Sequence, residues 1–156
     1  MTRASRLHPV LWGGLLSGLF DFCYATGLWA LKGVPPVQVW QSVASGLLGQ
    51  DAFAHGWATG SLGIALHFFI TCVMAAVFWF ASRRLPWMRQ HPWRAGIAYG
   101  IGLYVVMTFI VLPLSALPVT QHVYTVAKVT LNLLVHIVVG LIISMAVHRH
   151  DRLRPA

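Results

Sequence analysis

Gly14 to Ala30 reads GLLSGLFDFCYATGLWA, an apolar run with one carboxylate, Asp21, near its middle. The stretch from Val10 to Leu31 is long enough to cross a bilayer as a helix, since about 20 apolar residues suffice. A charge at that depth costs about 2.5–3.5 kcal/mol unless it meets a partner. The run therefore predicts a membrane span, and Asp21 predicts a polar partner on another span.

Composition agrees. The chain has 156 residues, 58% hydrophobic and only 9% charged. Soluble domains carry about 25% charged residues, so this chain has too little polar surface to cover a soluble core. One all-α membrane domain over residues 1–156 is expected. Its four transmembrane helices form a bundle, with spans near 10–31, 57–81, 95–117 and 122–147. Lipid offers no partner to a bare amide, so each span is helical. Span one is read as a retained helix. Asp21 interrupts any signal-peptide apolar region, no cleavage pattern follows, and the residues before Cys23 do not form a lipoprotein site.

Charge sets the expected orientation. Arg3 and Arg6, then Arg83, Arg84, Arg89 and Arg94, then Arg149, Arg152 and Arg154 all fall on one side of a four-span layout. The other connections carry Lys32, and Lys128 lies inside the fourth span. The positive-inside rule makes both termini cytoplasmic. Trp12, Trp79, Trp87 and Trp93 then form an inner aromatic belt, and Trp29, Trp40, Trp57 and Tyr124 an outer one. The formal charge of +8, eleven cationic side chains less three carboxylates, comes mostly from the same nine arginines. It implies contact with anionic headgroups of the bilayer, and no motif accompanies it that would point to nucleic acid.

Between spans one and two lies KGVPPVQVWQSVASGLLGQDAFAHG, Lys32 to Gly56. Pro35 and Pro36 can open a short helix, and Gly46 and Gly49 can close it. A helix at about 37–48 is too short to span. It is either interfacial, capping the bundle, or re-entrant, with Gln38, Gln41, Ser42 and Ser45 lining an entrance.

Polar residues share faces at helical spacing. Span one offers Ser17, Gly18, Asp21, Tyr24 and Ala25. Span two offers Gly56, Gly60, Gly63, His67, Thr71 and Met74. Span three offers Gly96, Gly100, Tyr104 and Met107, and span four offers Thr125, Lys128, Asn132 and His136. Asp21 and His136 fall near mid-span, and His67 lies about 3–5 Å outward of it. The expected polar core is Asp21, His67, Asn132 and His136, with Lys128, Tyr24 and Thr71 at its margin.

Three chemistries fit that core. Asp21 can be a proton or ion site, or a protonated acid that holds helices together. Lys128 can instead snorkel to the outer interface. His67 and His136 meet the minimum for bis-histidine haem ligation, and Asp21, His67 and His136 supply three zinc donors at most. Cofactor binding therefore stays open, with none, haem and zinc as the alternatives. Cys23 and Cys72 form no metal spacing and are expected as buried packing residues. His91, His148 and His150 flank basic residues and are expected to be solvated. No nucleophile elbow, P-loop or HExxH occurs, so an enzyme is not the expected reading. The pairs Gly14/Gly18 and Gly96/Gly100 are expected to set close helix approach. LGIALH ending at His67 and LNLLVH ending at His136 hint at a parallel repeat of two hairpins.

SVASGLLGQDAFAHG, LGIALHFFI, FASRRLP and YGIGLYVVMTFIVLPLS, in this order over nearly the whole chain, resemble a family of small, uncharacterised bacterial inner-membrane proteins. A more distant likeness is to the YagU-type inner-membrane proteins. The resemblance implies four spans and the bacterial inner membrane, and it brings no activity or catalytic residue. The expected function is a small transport or conductance protein, working as a homo-oligomer because four spans leave little room for a pathway. The alternatives are a haem- or metal-binding redox protein using His67 and His136, and a structural or accessory subunit without catalysis.

Overall fold

In the computed structural model of the chain, which describes residues 3–116 and 125–153, prolines and glycines mark the helix boundaries. Helix α1 is Arg3–Ala30. A turn through Gly33, in the left-handed region at φ 78°, leads to α2, Pro36–Leu48. Pro36 occupies the first turn of α2, where a missing amide goes unnoticed. Gly49, at φ 61°, ends α2 and begins a 3-10 turn, Gly49–Phe53. Helix α3 is Gly56–Arg84. Leu85 and His91 each precede a proline and are non-helical, as the proline ring requires. They bound α4, Pro86–Gln90. Helix α5 is Pro92–Leu114 and α6 is Val126–Leu153. Among the described residues there is no strand.

The expected outer helix at 37–48 matches α2 apart from Pro36. The third expected span starts late and runs long, since Pro92 opens α5 and the helix stops at Leu114. The expected start of the fourth span at His122 lies outside the described residues, as does Tyr124. Helix α6 runs past the expected end at 147 to Leu153, because nothing in its charged last turn breaks a helix.

Helix α5 is irregular. Met107–Val111 forms a π-helical turn, and the Leu112 amide reaches back to the Met107 carbonyl. Pro113 supplies the cause. It has no amide to give, and its ring would press on the Phe109 carbonyl in a regular helix, so one extra residue is accommodated in the turn before it.

Helices α3, α5 and α6 are long and apolar enough to cross a membrane. Helix α1, expected as the first span, is not among these three. Its described part is diluted by Gly13, Gly14, Ser17, Gly18, Asp21 and Thr26.

The main packing pairs are α2 with α3, α3 with α1, α1 with α6, and α6 with α5. Lipid gives helices no hydrophobic reason to associate, so close approach of small residues carries the seams. A Cβ on Gly14 would meet the Cys72 Cα at 2.6 Å, and one on Gly18 the Thr71 hydroxyl at 2.7 Å. On the α5–α6 seam, a Cβ on Gly100 would lie 2.5 Å from the Ile137 Cα, and one on Gly140 would overlap the Gly96 carbonyl. On the α2–α3 seam, a Cβ on Gly63 would overlap the Trp40 carbonyl. Both expected glycine pairs thus do set helix approach.

The helices close most tightly at the end that carries Arg83, Arg84 and Arg89. Ala75, Phe78, Met88, Ala95, Leu103, Val139, Ile143 and Val147 form the core. The Tyr99 hydroxyl donates to the Met74 carbonyl at 2.7 Å, and the Tyr99 ring meets Phe78 edge-on. Ser144 donates to the Pro92 carbonyl at 2.7 Å, and Arg83 pairs with Asp151. At the opposite end α2 crosses from α3 to the end of α5, where the Ala116 amide donates to the Gly46 carbonyl at 2.9 Å.

Three expectations need correction. Trp40 belongs to no aromatic belt, because it is 2% exposed and stacked on Phe22. Cys23 is exposed, because it points away from the α1–α3 seam that Gly14 and Gly18 define. His150 is largely buried, because it sits beside the Asp151 carboxylate that Arg83 draws in.

Candidate functional site

The site grows from the α1–α3 seam. Gly18 has no side chain, so α3 comes close enough for His67 to reach the α1 backbone. The His67 Nε2 lies 3.0 Å from the Gly18 carbonyl. A carbonyl only accepts, so Nε2 carries the hydrogen and donates it. That leaves Nδ1 facing Asp21, one turn further along α1, with Oδ2 at 3.9 Å. Asp21 thus stands beside His67, as depth and period predict.

The backbone contact fixes what the pair can do. With Nε2–H committed to Gly18, a neutral His67 has a bare Nδ1. One proton can sit on the Asp21 carboxyl or on His67 Nδ1, and the pair is neutral overall in either arrangement. At 3.9 Å direct transfer requires the two groups to close by roughly 1 Å, or a water between them.

Aromatic rings wall the histidine. Trp40 lies edge-on to it at 5.1 Å between ring centres, and Phe68 at 5.3 Å. Phe22 stacks on Trp40 at 4.3 Å with the planes 8° apart. Trp40 comes from α2, which is tied to α3 by its own polar side chains. Gln41 donates to the Gly56 carbonyl at 3.0 Å and to the Thr59 hydroxyl at 3.3 Å, and Thr59 donates to the Ala52 carbonyl. The expected entrance is not lined in that way. Gln41 and Ser45 are buried, while Ser42 and Ser45 bond carbonyls of their own helix. Gln38 alone of the four makes no such bond and is exposed.

The other expected residues divide. Thr71 is buried, donates to the Phe68 carbonyl at 3.0 Å and packs under Gly18. Tyr24 is half-buried and lies in electrostatic range of Asp21. His136 also lies within electrostatic range of Asp21, though no hydrogen bond or ion pair joins them among the described residues. Its Nδ1 donates to the Asn132 carbonyl at 2.8 Å, one turn back on α6, and Tyr104 meets its ring edge-on. The two histidines are thus held as opposite tautomers, one by a neighbouring helix and one by its own. Asn132 and Lys128 are exposed on α6, so Asn132 contributes its carbonyl rather than its amide.

The two groups differ in access. The Asp21 side chain is 32% exposed and the His67 side chain 11%. Toward the arginine end the way is filled by Ser17, Ala75 and Ile143, all essentially inaccessible.

A metal or haem fits this arrangement poorly. Among the described residues no three His, Cys, Asp or Glu side chains gather closely enough to hold a metal ion. His67 has already given Nε2 to a backbone carbonyl.

Period and depth pointed to Asp21, His67 and Thr71. They did not point to Trp40, Phe22, Phe68 or the Gly18 carbonyl. Gly63 was the available clue to Trp40, since a glycine facing a short helix announces a close crossing.

The class these features define is a helical membrane protein with several apolar helices of spanning length. No protein-family model matches the chain, and no curated protein or solved structure does either.

Proposed function

We propose that the chain is a four-span bacterial inner-membrane protein with both termini cytoplasmic. It acts as a small transport or conductance protein that passes protons, with Asp21 and His67 as its proton site. The observation that carries this reading is the fixed His67 tautomer. A carboxyl group and a bare imidazole nitrogen face one another inside the helix packing, with room for one proton between them. Intramembrane ionisable residues mark ion and proton paths by default.

The Asp21 side chain is more open than that of His67, and Ser17, Ala75 and Ile143 are packed shut on the arginine side of the pair.

A second reading rests on the same hydrogen bond. His67 to Gly18 ties α3 to α1, which is what a structural or accessory subunit needs. Proteoliposomes loaded with a pH-sensitive dye separate the two. Under an imposed potassium diffusion potential, wild-type protein acidifies or alkalinises the lumen faster than empty liposomes. Asp21→Asn abolishes that flux while helical content is kept. Flux equal to empty liposomes for wild type, or unchanged flux in Asp21→Asn, overturns the transport reading.

A further inference from the structure

At the arginine end, a cleft of about 260 Å³ lies between α4 and the last turns of α6. Pro86, Arg89, Gln90, His148, Asp151 and Arg152 line it. Arg89 and Arg152 come from opposite ends of the second half of the chain. Met88, buried in the core, holds α4 so that Arg89 faces α6.

The acids of this chain cannot neutralise that cleft. There are only three: Asp21, Asp51 and Asp151. Asp21 is inside the bundle, and Asp51 lies in the 3-10 turn that follows α2. Asp151 is in the cleft, but Arg83 already binds it. Among the described residues, Arg89 and Arg152 therefore have no protein counter-ion, and they stand on elements that the core fixes. His148 adds a further donor beside them. Exposed Trp87 and Trp93 flank α4, as residues at a membrane–water interface do.

We infer that this cleft binds a phosphate ester, with Arg89 and Arg152 as its principal ligands. Guanidinium groups match phosphate oxygens in pairs, and two of them line this one cleft. The Arg83–Asp151 pair braces α3 against α6 and offsets the carboxylate's repulsion of the ligand. The phosphate can be a lipid headgroup or a soluble ester, since both present the same oxygens. The inference is independent of the transport reading, because neither arginine touches Asp21 or His67.

The test uses full-length protein in detergent micelles, with native mass spectrometry to count retained molecules. The probes are phosphatidylglycerol, phosphatidylcholine and soluble glycerol phosphate. Wild type retains phosphatidylglycerol over phosphatidylcholine. Arg89→Gln with Arg152→Gln weakens that retention by about 30-fold, taking each interfacial arginine at its usual contribution. Arg94→Gln, equally basic and outside the cleft, leaves it unchanged. Circular dichroism confirms that each variant keeps its helices. Binding of phosphatidylglycerol but not glycerol phosphate assigns the site to lipid, and binding of both assigns it to the ester itself. Equal losses in the double variant and in Arg94→Gln overturn the site, because general charge attraction then explains the binding. Absence of any preference for phosphatidylglycerol and of glycerol phosphate binding overturns it as well.

Discussion

His67 does two jobs at once, and they can be separated by chemistry. Its Nε2–H ties α3 to α1, while its Nδ1 faces Asp21. Glutamine can supply an amide N–H to the Gly18 carbonyl but cannot hold the extra proton. His67→Gln is therefore expected to keep stability within about 1 kcal/mol, the usual range of an intramembrane hydrogen bond, and to lose proton flux. His67→Ala removes the bond and leaves a void beneath Trp40, for a loss of about 2 kcal/mol or more. Unfolding in mixed micelles and the liposome flux assay read the two effects separately. If both variants transport normally, the imidazole is only a strut. The Asp21–His67 pairing was legible in the sequence because two ordinary rules converge on it: helical period gives the face, and distance from the span ends gives the depth. Asn132 shows where those rules stop. It shares a face with His136, but a helical wheel does not say whether a neighbouring helix covers that face, and here Asn132 is exposed.

Among the elements, α2 is the one whose position the sequence left open. Its limits followed from Pro36 and Gly49, because one permits a helix start and the other enforces a stop. Its docking depends on Gly63 and on an indole that must be placed in three dimensions, and neither is a local property. The Trp40 backbone lies where a side chain at position 63 would be. Gly63→Ala is therefore expected to push α2 outward, with a cost of about 1–3 kcal/mol typical of an overpacked seam. In a background with Cys23 and Cys72 changed to serine, Ser45→Cys reports the movement. Ser45 is a fully buried residue of α2, so maleimide labels Ser45→Cys slowly in the parent and rapidly once Gly63→Ala is added. Gly27→Ala and Gly102→Ala, whose new methyl groups would meet nothing within 4 Å, leave the labelling rate unchanged. Equal labelling with and without Gly63→Ala would mean that α2 floats on α3 and does not wall the site.

Across the whole molecule, the two hairpins share more than their histidines. Gly14 and Gly18 seat α3 on α1 just as Gly96 and Gly100 seat α6 on α5. An aromatic residue stands one turn beyond the second glycine in each case, Phe22 in α1 and Tyr104 in α5, and each lies in the aromatic or histidine cluster of its hairpin. The correspondence favours the parallel repeat hinted at by LGIALH and LNLLVH. It also requires α1 to cross the membrane as α5 does, although α1 is not among the helices apolar enough to span by composition. Single cysteines in a Cys-free background test that requirement in intact bacterial cells. An impermeant maleimide is expected to label Lys32→Cys from outside, and to label Arg6→Cys, Arg89→Cys and Arg149→Cys only after permeabilisation. Opposite sides for positions 6 and 32 make α1 a span and place Asp21 near mid-membrane. The carboxylate then needs its neighbours, because an unpartnered charge there costs about 2.5–3.5 kcal/mol. The same side for both positions would lay α1 along the surface. Asp21 would then face headgroups and water, its pairing with His67 would relieve no burial cost, and the proton site would lose the physical reason for its position.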